Sequence, residues 1–129
     1  MKLTRTLLLI VAALAFTGQA HATDELKLSN KWRVEVSDGA NSDGTILFRV
    51  TPKDGQPVDV AVAIKDGRGE NNVAADIRDA FRKTLDQKVF KSEVDDGEDV
   101  LLKKRKGPDF ELRLVESTVK SVRINVEKE

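Results

Sequence analysis

The chain has 129 residues, with 22 Lys and Arg against 22 Asp and Glu, no Cys, no Tyr and a single His. That length suits one domain, and the balanced charge argues against a polyanion binder, which carries a strong excess of base. Without thiols there is no disulfide to hold a small fold, so a continuous apolar core must do so.

Lys2 and Arg5 lead into an apolar run from Leu7 to Phe16, followed by Gly18, Gln19 and then Ala20-His21-Ala22. This is the order of a secretory leader: charge, apolar stretch, then an Ala-x-Ala cleavage site. The run is well short of the about 20 apolar residues that span a bilayer. Residues 1–22 are therefore expected to be a cleaved signal peptide and 23–129 a single α+β domain, periplasmic or secreted, with no integral membrane span after cleavage. Cleavage also discards His21. The exported chain then lacks imidazole, thiol and phenol, the commonest general base, metal ligand and strong nucleophile among them.

After a polar lead-in from Thr23 to Asn30, Trp32, Val34 and Val36 alternate with Arg33 and Glu35, the period of a half-buried strand. Asp38 to Gly44 is turn chemistry, and a hairpin to the next strand is the expected consequence. Ile46, Phe48 and Val50 form the inner face of strand two, which Pro52 ends. Val58, Val60, Val62 and Ile64 alternate with Asp59, Ala61, Ala63 and Lys65, giving strand three a second face of small residues open to close packing.

Past Gly67 and Gly69 the period becomes helical from Val73 to about Asp86, with Asn71 or Asn72 as N-cap and Ile77, Phe81 and Leu85 on the apolar stripe. Period two then returns around Phe90–Val94, Val100–Lys104, Phe110–Leu114 and Val122–Val126, with turns at Asp96-Gly97, Lys106-Gly107-Pro108 and Ser117-Thr118. The expected fold is α+β in the order βββαββββ: an antiparallel sheet of about six to seven strands with one amphipathic helix packed on one face.

Few motifs resemble chemistry. Ser117-Thr118-Val119-Lys120 matches S-x-x-K, but it falls between strands and lacks the companion elements of the serine acyl-transfer enzymes. Asn41-Ser42-Asp43-Gly44 fails as a calcium loop, because the first ligand position is Gly39. Gly67-Arg68-Gly69 lacks the glycine spacing of a phosphate loop. Asp95, Asp96, Glu98 and Asp99 crowd one turn and Lys103-Lys104-Arg105-Lys106 form the basic run, at opposite ends of one strand. The run reads as either a surface for a phosphate-bearing partner, such as a lipid headgroup or nucleic acid, or a lysine-guarded edge strand, and no aromatic interleaves it as in single-strand nucleic-acid binders.

The sequence thus points to a non-catalytic binding protein acting through another envelope or secreted protein, of which an inhibitor or immunity-type protein is one form. Lys103, Lys104, Arg105, Lys106, Asp95 and Asp96 are its candidate contact residues. No catalytic residue, metal ligand, cofactor or nucleic acid is expected. The alternative is a carrier of a small apolar or anionic ligand between helix and sheet, and a carboxylate- or Ser/Lys-based enzyme comes third.

Overall fold

The computed structural model describes residues 25–129, so the leader expected over 1–22 lies outside the described residues. Seven strands and one helix follow in the order βββαββββ: β1 Lys31–Ser37, β2 Gly44–Pro52, β3 Val58–Ile64, α1 Glu70–Thr84, β4 Phe90–Asp95, β5 Asp99–Lys104, β6 Phe110–Ser117 and β7 Arg123–Lys128. Every strand pairing is antiparallel. The strands divide into a four-stranded sheet, β4-β5-β1-β7, and a three-stranded sheet, β3-β2-β6.

That division corrects the hairpin expected between β1 and β2, which lie in different sheets. The connecting segment crosses over because Ala40 is buried and its N–H and C=O are taken by Arg68 O (2.8 Å) and Gly67 N (2.9 Å). Such main-chain bonds pull the segment away from a tight reversal and into the core. The chain also changes sheet at Lys106-Gly107-Pro108 and between β6 and β7. Only β2–β3 and β4–β5 are hairpins joining sequence neighbours, the latter closed by Asp96 and Gly97 at φ 51° and 80°.

The alternation seen in the sequence sets the inner faces. Val34 and Val36, Ile46, Phe48 and Val50, Val60 and Val62, and Val100 and Leu102 are all buried in one core with Val73, Ile77 and Phe81 of α1. Phe81 meets Phe48 with ring centroids 5.3 Å apart, and Phe90 meets Phe110 edge-on at 5.1 Å, geometries that suit the aromatic quadrupole. The helix contacts β3 on one sheet and β4, β5 and β1 on the other, so it packs against both. Ala61 and Ala63 are exposed on the outer face of β3.

The helix begins earlier than expected. Gly69, extended at φ −70° and ψ 166°, is the N-cap, and Asn71 and Asn72 lie inside the first turn. Glu70 at the start and Arg82 and Lys83 at the end each oppose the helix dipole. The helix stops where Leu85 turns extended while its N–H bonds Phe81 O at 2.9 Å.

The basic run's strand is not an edge: β5 lies between β4 and β1. Its lysines are held by neighbours, with Lys103 Nζ 2.7 Å from Glu93 and Lys104 Nζ 2.8 Å from Asp109. The free edges of the sheets belong instead to β3 and β4 and to β6 and β7.

Candidate functional site: a seam between the two sheets

β6 and β7 are consecutive in the chain and end up as neighbouring edges of different sheets. Their connection explains how. Val119 is buried, Thr118 N donates to Thr45 O (3.0 Å), and Thr45 N donates to Thr118 Oγ1 (2.9 Å). The Ser117–Lys120 stretch is thereby spent on tying β6 to β2, and Lys120 N donates to Ser42 Oγ at 2.9 Å. Ser121, at φ 70°, then turns the chain out towards β7.

Main-chain direction decides what the two edges present. Phe110 exchanges both hydrogen bonds with Ser29, each 3.0 Å, so its N–H and C=O point away from β2. Opposite Phe110 on β2 is Pro52, which has no N–H to give. In an antiparallel ladder alternate residues face the same neighbour; Leu112 and Leu114 therefore turn their main chain to the same side as Phe110. On β7, Glu129 N donates to Lys31 O at 3.1 Å, so odd-numbered residues face β1. Ile124 and Val126 face the opposite way, off the free edge of the four-stranded sheet beside β6.

The seam is thus bounded by two neighbouring strand edges, each turning alternate main-chain groups away from its own sheet. The lead-in begins to pair with β6 at Ser29 and goes no further: Lys27 N donates instead to Glu111 Oε2 at 2.8 Å. Glu111 is a buried carboxylate, with Arg113 Nε 3.8 Å from its other oxygen. A void of about 220 Å³ opens between Trp32, Leu112, Leu114 and Val126, flanked by Lys27, Glu111 and Arg113. A second, of about 390 Å³, lies against Glu25, Lys27, Glu111 and Arg113. Leu114, Val122, Ile124 and Val126 are half-buried at the rim of the core. Trp32 forms the floor: it is buried, and its Nε1–H donates to Phe110 O at 2.9 Å, joining β1 of one sheet to β6 of the other.

The residues named from sequence lie elsewhere. Asp95 and Asp99 converge on Arg33, at 3.0 Å and 2.7 Å, and Glu129 binds the same guanidinium at 2.8 Å. These bonds raise the Arg33 pKa further and hold Glu129 below the usual carboxylate range. Asp96 stands exposed at the hairpin tip, and Arg105 and Lys106 are exposed beyond β5. Asp95 and Asp96 are therefore separated from the basic run by the length of β5, and no single surface collects all six. Beside the Arg33 cluster, Glu127 is pushed above its ordinary value by its hydrogen bond to Glu35 and the repulsion between them.

Among the described residues no group of three or more His, Cys, Asp or Glu is placed to hold a metal ion, and no helix is long and apolar enough to cross a membrane. No model of a known protein family matches the chain, and no curated protein matches it. The seam escaped sequence reasoning because the residues lining it look like any other inward-facing strand positions. Its one sequence signal was Pro52, a missing donor that says which way the facing residue of β6 must turn.

Proposed function

We propose that this is a small exported, non-catalytic binding protein that holds an extended segment of an envelope or secreted partner protein as an added strand in the seam. The observation that carries the reading is the pair of facing edges, Leu112 and Leu114 against Ile124 and Val126. A guest strand there gains main-chain hydrogen bonds on its flanks and apolar cover for its side chains, the two sources of affinity and selectivity in strand addition. Lys27, Arg113 and Glu111 at the mouth would select the guest's charges. An inhibitor or immunity-type role is the form of this function that needs no more than a stable scaffold and such a surface.

Leu114→Pro and Val126→Pro each delete a donor that faces the seam and leave the ladders to β2 and β1 intact. The purified protein, tagged and exposed to envelope extract, should retain a stoichiometric partner that both variants lose while keeping the parental circular dichroism. A partner held equally by the parent and by both variants would refute the seam as the binding surface.

A further inference from the structure

A third opening lies at the edge of the four-stranded sheet opposite the seam, where the end of α1 meets β4 and the end of β5. Its volume is about 190 Å³. Phe81, Phe90 and Leu102 supply its apolar wall, and Arg82, Lys91 and Arg105 its charge. Small-molecule pockets usually run from about 300 to 1,000 Å³, so this one suits a small ion or a head group rather than a nucleotide. It is also much larger than the roughly 30 Å³ share of one water.

Ser92 marks the place. It occupies an inward position of β4 directly across from Leu102, it is 5% exposed, and its Oγ is the one buried side-chain polar atom without a hydrogen-bond partner among the described residues. A buried hydroxyl in the wall of a cavity with nothing to bond is a costly choice where alanine would pack as well. Two of the three cations around it are similarly uncommitted. Arg82 donates through Nε to Ser92 O at 3.0 Å, which fixes the guanidinium over the opening and leaves both terminal nitrogens available. Neither Arg82 nor Arg105 forms an ion pair with a described carboxylate, and Lys91 is held by Glu93 at 3.4 Å while Lys103 takes the same carboxylate at 2.7 Å.

Two of the carbonyls at the helix end, which would repel an anion, are occupied. Gln87 Nε2 donates to Arg82 O at 3.1 Å and Leu85 N to Phe81 O at 2.9 Å.

We propose that this cleft binds a phosphate group, held between the guanidinium groups of Arg82 and Arg105 and accepting the Ser92 hydroxyl. The donor set decides the ligand's shape. Two guanidinium forks and a hydroxyl border the cavity from α1, the end of β5 and β4; a carboxylate presents only two oxygens to such a set, whereas a tetrahedral oxyanion faces every side. Free phosphate and the phosphomonoester head of a lipid share that chemistry. This site does not depend on the strand-binding reading, because no residue of the cleft lies on β6 or β7.

Two probes test it at constant ionic strength. Inorganic phosphate is titrated into the 15N-labelled protein while the amides of Gln87, Ser92, Leu102 and Arg105 are followed. Phosphatidylcholine vesicles, with and without phosphatidate, are tested for co-sedimentation. Saturable shifts at those amides assign free phosphate, and phosphatidate-dependent sedimentation assigns the head group; either supports the site. Arg105→Gln, an exposed substitution, should weaken whichever binding is seen by about tenfold, the loss of one charge-assisted contact. Ser92→Ala should weaken it as well while keeping or raising the Tm of the ligand-free protein. The proposal is overturned if neither probe binds, if binding is indifferent to Arg105→Gln, or if Ser92→Ala lowers the Tm, which would make the hydroxyl part of the fold's own bonding.

Discussion

Replacing Trp32 by Phe tests whether the indole is a strut between the two sheets. The Nε1–H···O bond to Phe110 O is 2.9 Å long in a site where Trp32 is 4% and Phe110 0% exposed. Loss of such a bond costs about 1 kcal/mol net, and trimming a buried ring adds about 1–2 kcal/mol of lost packing, so Trp32→Phe should cost about 2–3 kcal/mol. The orphaning penalty is withheld because Phe110 O still accepts Ser29 N at 3.0 Å. Ser29→Pro removes that second donor together with the Ser29 Oγ bonds to the Lys31 main chain, for about 2–3 kcal/mol. With both gone the buried carbonyl has neither partner, and the double variant should exceed the sum of the single ones by about 1–2 kcal/mol. Urea unfolding followed by far-ultraviolet circular dichroism is the assay, since Trp32 is the sole tryptophan and its fluorescence disappears with the substitution. Strict additivity in the cycle, or a Trp32→Phe cost below about 0.5 kcal/mol, would refute the strut.

Gly44→Ala should destabilise by about 1–3 kcal/mol, because the new Cβ would stand 2.8 Å from Thr118 Oγ1 and 2.9 Å from Val119 N; the drop in urea midpoint measures it. Glu127 has its folded pKa raised by Glu35, so its charged form is disfavoured in the fold and the penalty grows as pH rises through the carboxylate range. Glu127→Gln should therefore raise Tm at about pH 7 and leave it unchanged at about pH 3, where the carboxyls are protonated; equal effects at both would contradict the repulsion. Glu93 and Glu129 shift the other way, lowered chiefly by hydrogen bonds to Lys103 and Arg33. Their contribution is present above the ordinary carboxylate pKa and is lost as pH falls through their lowered values, so Glu129→Gln should lower Tm near neutrality and have no effect in strong acid.

Element type was legible because each segment's burial follows its own period. Trp32, Val34 and Val36 are buried against half-exposed Arg33 and Glu35, and Val73, Ile77 and Phe81 share one helix face. Pairing was not legible, because the turn residues of 38–44 suit a hairpin as well as the crossover that Ala40 creates by bonding Arg68 and Gly67. Four of the chain's links change sheet, from β1 to β2, from β3 through α1 to β4, from β5 to β6 and from β6 to β7, and local turn chemistry does not specify which sheet the next strand joins. The candidate contact residues were chosen for charge density, yet Asp95, Lys103 and Lys104 are neutralised by Arg33, Glu93 and Asp109. Arg105 is the exception: it lines the cleft with Ser92, an inward serine whose significance depends on neighbours that only the fold supplies.

Amide exchange in the free protein reads the seam most directly. Glu111, Arg113, Asn125 and Glu127 spend their N–H groups in ladders, and the residues between them point theirs across the gap. Protection should alternate, slow at these four and fast at Leu112, Leu114, Ile124 and Val126. Uniform protection along both strands would mean that β6 and β7 are bonded to each other, leaving no place for a guest strand.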